Sequence, residues 1–421
     1  MKKVKNLIIG AGVSGLGFAN FINSEEYLIL EKVSQPGGYC RTIYKDDYVW
    51  DYAGHFFHFA NQDLKNFFNS KIDPMDLIYK EKCTKIYYKG EFIDYPFQKN
   101  IHQLTKVEFI DCLYDLFNKE EKDKYSGFED MLYGKFGKSI TEKFLKPYNE
   151  KLYACDLNSL DSNAMGRFFP YANIKEIIDN MKLEEDNSYN KEFLYPKKGA
   201  VTYIIALLKG LNQNKILYNQ EVIDIDEQNK VVTTTTDKFE YEYLINSAPF
   251  DHLIKYIDAK EYERSKEKLT YNKVLVFNLG FDKKSHIDDT HWVYVPDKDI
   301  NFYRFGFYDN ILDLDKLSMY IEIGYESDAE INIEEQLDLT IKNLKEVGVI
   351  SEHKLLAYSS IIMNPAYVHI SNEENSLKDK KKKDLENHSI YTIGRYGDWK
   401  YCSIEDSMID AMDLAKLLNE K

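Results

Sequence analysis

What the sequence lacks narrows it first. No apolar run approaches the ~20 residues of a membrane-spanning helix, and the N-terminus enters an apolar, strand-like stretch with no signal-peptide pattern. The expectation is a cytoplasmic protein that does not engage a membrane. Cysteine is sparse: Cys40, Cys83, Cys112, Cys155 and Cys402 lie far apart, with no Cys-x-x-Cys pair. That spacing argues for reduced thiols and against both a disulfide framework and a zinc centre, so no metal is expected. Positive charge is also short, at a net −15. This excludes a general nucleic-acid surface, which needs a basic face, but leaves room for one anionic ligand held by a few arginines in a cleft. Arginine itself is scarce, and almost all the positive charge is lysine. Internal repeats and low-complexity linkers are absent.

What is present points to a globular protein of two or three domains, since 421 residues exceed most single cores. The most informative stretch is Asn6-Leu7-Ile8-Ile9-Gly10-Ala11-Gly12-Val13-Ser14-Gly15, followed by Tyr27-Leu28-Ile29-Leu30-Glu31. An apolar strand ends in Gly-x-Gly-x-x-Gly, a helix-forming stretch follows, and a second apolar strand ends in an acid. This unit holds a dinucleotide: Gly10 permits the tight turn, Gly12 and Ser14 face the pyrophosphate, and Gly15 lets the helix close on the strand. Glu31 is placed to accept hydrogen bonds from ribose hydroxyls, and its charge disfavours a 2′-phosphate.

Along the rest of the chain, a hairpin is expected at 84–97, helical spacing from 104 to 180, and a helix at 199–211. Strands are expected at 216–226 and 230–236, and again at 274–281, 292–295, 302–307 and 319–325. Residues 333–347 read as a helix, 378–384 as a solvated charged face, 389–393 as a strand and 404–419 as a closing helix. The expected fold is α/β: a discontinuous Rossmann-like domain built from 1–80, 196–250 and 388–421, with Val222 among its cofactor contacts. Into it are inserted a hairpin (81–100), a helical domain (101–195) and an antiparallel sheet domain (251–387). The closing helix directs its N-terminus, with Asp406, Ser407 and Met408, toward the cofactor.

The second glycine pair, Gly37-Gly38, continuing to Cys40-Arg41-Thr42, resembles the fingerprint of flavoproteins of the amine-oxidase type. The resemblance implies FAD, with the paired glycines beneath the flavin and Arg41 at cofactor phosphate. Five further segments resemble UDP-galactopyranose mutases, most closely the eukaryotic branch. Tyr95-Pro96-Phe97-Gln98-Lys99-Asn100 is similar to the family's uracil segment, where an aromatic face and an amide suit a planar base. Pro147-Tyr148-Asn149-Glu150-Lys151-Leu152-Tyr153 and Gly166-Arg167 resemble a second segment, with Tyr153 in place of a tryptophan. Trp292-Val293-Tyr294-Val295-Pro296 with Phe302-Tyr303-Arg304 resembles a third, and Gly54-His55 with Ala53 replacing a glycine a fourth. Gly394-Arg395-Tyr396-Gly397-Asp398-Trp399-Lys400-Tyr401 resembles the fifth.

By that resemblance Tyr95, Phe97 and Gln98 bind uridine, Arg167 and Arg304 hold the diphosphate, and Asn149, Tyr153, Tyr294 and Tyr401 line the substrate site. His55 and Arg395 lie beside the flavin, and His55, Arg167 and Arg304 serve the chemistry. Glu405 stands where the family has an asparagine near phosphate, and a carboxylate there repels phosphate unless it is turned away. The implied activity is interconversion of the pyranose and furanose forms of a UDP-hexose, UDP-galactose by default, through a reduced-flavin N5–sugar adduct. The flavin would be reduced externally by NADH or NADPH, in a monomer or homodimer. The alternative is an FAD-dependent oxidase or desaturase, which has no need of a uracil segment or of arginines for a diphosphate.

Overall fold

The computed structural model describes residues 1–182, 192–266 and 269–421. Residues 183–191, at the end of the span expected to be helical, and 267–268, within the expected sheet domain, lie outside them. The first of two large sheets has the strand order Val222–Asp226, Val231–Thr234, Lys238–Asn246, Lys2–Ile9, Tyr27–Leu30 and Ile216–Leu217; Ile390–Thr392 also pairs with Lys238–Asn246. Pairing is parallel around Lys2–Ile9, with Asn6 opposite both Tyr27 and Tyr243. Leu7 and Ile8 are completely buried. A strand covered on both faces reads as an unbroken apolar run rather than an alternating one, which is how Leu7-Ile8-Ile9 reads. The helices Val13–Phe21 and Ile404–Asn419 pack together on this sheet. A Cβ on Gly17 would lie 2.8 Å from the Met408 sulfur, so glycine sets their separation.

The second sheet runs Leu355–Met363, Asn272–Phe281, Ser318–Glu326, Arg304–Phe307, Trp292–Tyr294, Thr84–Tyr88 and Glu91–Asp94. The early hairpin joins it through a parallel pairing of Trp292–Tyr294 with Thr84–Tyr88. Alternation along Asn272–Phe281 divides two cores. Leu275, Phe277 and Leu279 pack with Leu344 and Val347 at the end of the helix Ile333–Glu346, while Val274 and Val276 face the helical region. That region contains Lys106–Phe117, Phe128–Ile140, Lys146–Tyr153 and Ile174–Asn180. Among the described residues no helix is long and apolar enough to cross a membrane.

Several sequence expectations are corrected. The strand expected at 216–226 is interrupted, with Asn219 at φ +56. Phe117 is exposed while Cys112 and Leu116 are buried, so the apolar spacing of this helix marks two faces rather than one. The charged run 378–384 lies in the helix Asn372–Asn387 and is not simply solvated: Lys381 is buried against Glu261 at 2.8 Å, and Lys382 binds Asp398 at 2.6 Å. The hairpin Thr42–Lys45/Tyr48–Asp51, the pair Leu77–Glu81/Glu192–Pro196 and the edge strand Leu355–Met363 were not anticipated. The first two are short, and the nine-residue edge strand keeps most of its residues partly or fully exposed; each is fixed by a partner distant in sequence or by side-chain anchors.

Candidate active site

A cleft of about 600 Å³, partly open to solvent, runs from the Gly-rich turn to the inner face of the second sheet. That volume falls within the roughly 300–1,000 Å³ typical of ligand pockets, and the lining continues from the Gly-rich turn to Arg304 and Arg395. At the turn, Gly10 has φ +98 and donates its N–H to the Leu30 carbonyl at 2.8 Å. A Cβ on Gly15 would lie 2.0 Å from the Gly10 carbonyl oxygen, so only glycine allows this helix–strand contact. Gly12 and Gly38 face each other across the cleft wall and leave the space that a pyrophosphate backbone would fill. Gly12 provides no side-chain cap to Val13–Phe21, and no acid lies in its first turn. The early N–H groups can therefore serve an anion.

Glu31 is buried at the end of its strand and lines the cleft. One oxygen accepts the Ala11 N–H at 2.9 Å and the other the Val33 N–H at 3.1 Å. Ser14, Gly37, Val222 and Ser407 also line it. So does Arg41, whose guanidinium donates to the Gln35 and Pro36 carbonyls. Two members of the expected cofactor set are placed elsewhere. Met408 is fully buried against Gly17 in the helix contact. Asp406 closes the helix N-terminus, accepting the Ser403 N–H at 2.9 Å, and pairs with Arg167 at 2.5 Å. Glu405 is turned away from the cleft toward Asn61, whose N–H it accepts at 2.6 Å. The repulsion expected of a carboxylate at this position is thereby relieved.

At the other end the cleft is walled by cations and phenols. The chain has five arginines, Arg41, Arg167, Arg264, Arg304 and Arg395; three of these line the cleft, and Arg167 adjoins it through Phe168, over whose ring it lies at 5.1 Å. Arg304 holds Glu322 in a fork, Nε to Oε2 at 2.8 Å and Nη2 to Oε1 at 2.7 Å. Tyr303 donates to the same carboxylate at 2.7 Å. Arg395 lies 5.0 Å over Tyr367 and 4.9 Å over Tyr401, donates to the Cys402 carbonyl at 3.2 Å, and keeps a buried Nε with no partner among the described residues. Glu322 escaped the sequence reading, although a lone acid within the apolar run Met319-Tyr320-Ile321-Glu322-Ile323 was a signal.

His55 lies in the cleft wall beside Ala53 and Gly54, its buried Nδ1 without a partner among the described residues. Burial pushes its pKa down to about 4, outweighing the opposing pull of Glu322. The imidazole is therefore neutral at physiological pH, able both to donate and to accept. Because the unfolded chain protonates this histidine first, its contribution to stability falls as pH drops below 6.5 toward 4. The unfolding free energy of His55→Gln relative to wild type is expected to shift in the variant's favour over that window, by on the order of 1 kcal/mol at pH 5.5. Paired urea titrations at pH 7.5 and 5.5 read the difference; an unchanged difference would refute a neutral His55.

The expected uridine segment is more enclosed than its residue types suggest. Phe97 is fully buried, stacked on Phe144 at 5.2 Å, and so packs as a core residue rather than presenting an open face to a base. Gln98 is also fully buried and donates its amide to the Pro170 carbonyl, while its Oε1 has no partner among the described residues. Tyr95 lies 4.9 Å from Tyr294, whose hydroxyl accepts from Trp292 at 3.1 Å. Asn149 donates to the Leu145 carbonyl at 2.6 Å, and neither its Oδ1 nor the Tyr153 hydroxyl has a partner among the described residues. Tyr401 reaches the cleft directly. The sequence thus brought Arg304, Arg395, His55 and Tyr401 to one wall. Tyr95, Phe97, Gln98, Asn149, Tyr153 and Tyr294 pack behind it, and Arg167 stands at its edge.

A glycine-lined cleft roofed by a mostly antiparallel sheet that carries Arg304, with Arg395 beside it, defines a dinucleotide-binding flavoprotein fold. The chain belongs to the flavin-containing amine oxidoreductase family, whose model matches residues 16–340. It is 24% identical over 280 residues to a Klebsiella pneumoniae protein described as a probable UDP-galactopyranose mutase, a match covering 63% of this chain and 66% of that one. The crystal structure of a reduced UDP-galactopyranose mutase superposes with a TM-score of 0.93 at 22% identity, covering all of this chain and 95% of the other. A Brevibacterium oxydans cyclohexylamine oxidase shares the fold more distantly, with a TM-score of 0.71 at 11% identity over 99% of both chains. The resemblance seen in the sequence is matched in both comparisons.

Proposed function

We propose that this protein is a flavin-dependent UDP-sugar mutase that interconverts pyranose and furanose forms of a UDP-hexose, UDP-galactose by default. One observation carries the reading: two half-buried guanidiniums, Arg304 and Arg395, wall the cleft beyond the Gly-rich turn, in a chain otherwise poor in arginine. An oxidase of amines or apolar substrates has no use for them, whereas a departing diphosphate does. The mutase relatives support the same choice.

The cradle of Gly12, Gly38, Glu31 and the free helix N-terminus fits FAD, and a reduced flavin there supplies N5 as the nucleophile toward the anomeric carbon. The chain's own residues do the rest. Guanidinium forks meet phosphate oxygens bidentately and stay charged at any working pH. Arg304, with Arg167 at the edge, stabilises the negative charge that grows on the diphosphate as the C1–O bond breaks. A nucleotide held along the cleft fixes the sugar's position, so that binding energy remote from the reaction orients the anomeric carbon. Neutral His55 can exchange a hydrogen bond with the cofactor without gaining charge. The external reductant is NADH or NADPH.

Dithionite-reduced protein is expected to convert UDP-galactofuranose into UDP-galactopyranose, read by chromatography, with no conversion by the oxidised sample. UDP binding without conversion would keep the nucleotide site and point to another sugar. Failure of both binding and conversion would overturn the reading in favour of an oxidase or desaturase.

A further inference from the structure

Lys151 lies within the Pro147–Tyr153 segment that resembles the mutases, yet neither substrate nor cofactor reasoning gives it a task. The structure gives it three partners at once. Its ammonium donates to the carbonyls of Val295 at 3.0 Å, Asp297 at 2.6 Å and Phe302 at 2.6 Å. All three lie in the connection between the strands Trp292–Tyr294 and Arg304–Phe307. Val295 and Phe302 are fully buried. An ammonium has three N–H donors and no acceptor, so three carbonyls satisfy it completely.

We infer that Lys151 is a positioning residue that fixes the Tyr294–Arg304 connection from inside, and so sets where Arg304 stands in the cleft. The inference rests on the proposed mutase reading for its consequence, but its geometry is independent of it. The helix that carries Lys151 is itself immobilised. The Leu152 carbonyl accepts from the Asn272 amide at 2.6 Å, and the Tyr153 carbonyl lies 2.9 Å from His369. A Cβ on Gly324 would lie 2.2 Å from the Lys151 carbonyl oxygen, so this helix sits hard against the strand that bears Glu322. Glu150 adds an outer tie to Lys298 in the same connection, at 2.6 Å. The hairpin ends are closed by the Val295 N–H to the Tyr303 carbonyl at 2.8 Å. Without the ammonium, the carbonyls of the buried Val295 and Phe302 lose this partner together, and the connection must reorganise for them to reach water.

Lys151→Met keeps length and removes every donor; Lys151→Arg keeps charge and donors. For Lys151→Met, hydrogen exchange across residues 295–303 is expected to accelerate at least about tenfold, with 84–94 and 318–326 unchanged. kcat for the UDP-sugar should fall about tenfold or more while KM stays within about threefold, because a displaced Arg304 no longer meets the charge that develops on the diphosphate, and Lys151→Arg should recover most of the loss. Wild-type exchange at 295–303 together with wild-type kcat in Lys151→Met would overturn the inference. If Lys151→Met does not retain flavin, Lys151→Gln, which keeps two N–H donors without the charge, decides: a several-fold loss of kcat with flavin retained supports positioning, and a wild-type kcat overturns it. If wild-type protein binds no UDP, the functional reading fails, and exchange at 295–303 alone judges the role of Lys151.

Discussion

Arg304→Ala is expected to lower mutase turnover by at least about 10²-fold, the loss typical of removing one donor that stabilises developing negative charge. It should also destabilise the fold, and the two effects can be separated. Glu322 is 1% exposed and takes both Arg304 contacts. Truncating one partner of a buried pair leaves an uncompensated charge, at a cost of roughly 3–5 kcal/mol. Adding Glu322→Gln removes that charge while keeping the shape and the acceptor for Tyr303. The double variant should therefore recover much of the stability and none of the turnover. Arg304→Lys keeps the charge without the bidentate fork and should fall between. Urea denaturation and the reduced-enzyme assay, run on the same four proteins, check this. Turnover recovering in step with stability would mean that Arg304 acts only as a structural ion pair.

The second large effect is at the Gly-rich turn, where two glycines should fail for different reasons. In Gly15→Ala the new methyl would lie 2.0 Å from the Gly10 carbonyl oxygen. A backbone atom in the central turn cannot yield as a flexible side chain would, so a loss of at least about 3 kcal/mol is expected, at the upper end of overpacking costs. Gly12→Val meets no protein atom closer than Gly38, 4.0 Å from the Cβ, and projects into the cleft. That variant should fold with near wild-type stability as apoprotein and lose bound flavin. Absorbance near 450 nm per mole of protein, with circular dichroism melting, distinguishes them. A Gly12→Val protein that purified with full flavin would refute the cradle.

Some features were legible because they are local. The Gly10–Gly15 turn and Glu31 encode a backbone path: a left-handed φ, a contact without a Cβ, and an acid one strand away. The closing helix at 404–419 was legible through its apolar spacing and coincides with Ile404–Asn419. Arg304 and Arg395 stood out through the segments that resemble the mutases, Phe302-Tyr303-Arg304 and Gly394-Arg395-Tyr396-Gly397. The sequence was silent on the hairpin Thr42–Asp51 because its anchors are distant. Asp51, with a carboxyl pushed up to about 6 by burial, accepts from Thr42 at 2.6 Å, Tyr195 at 2.9 Å and the Ala200 N–H at 2.9 Å.

The amino-acid order alone determined that a dinucleotide site exists, which glycines build it, and that a discontinuous α/β fold surrounds it, since each of these follows from propensity, periodicity and short-range spacing. Only the tertiary structure decided how the charges and rings are used. Register places Arg304 directly opposite Glu322 on neighbouring antiparallel strands, so the residue expected to face a diphosphate already holds an anion. Packing encloses Phe97 in a core where its sequence suggested an open face, and turns Glu405 to a backbone N–H, away from the cleft. An aromatic or a carboxylate serves a core and a ligand equally well by type. Which one it serves depends on neighbours that the chain supplies from far away.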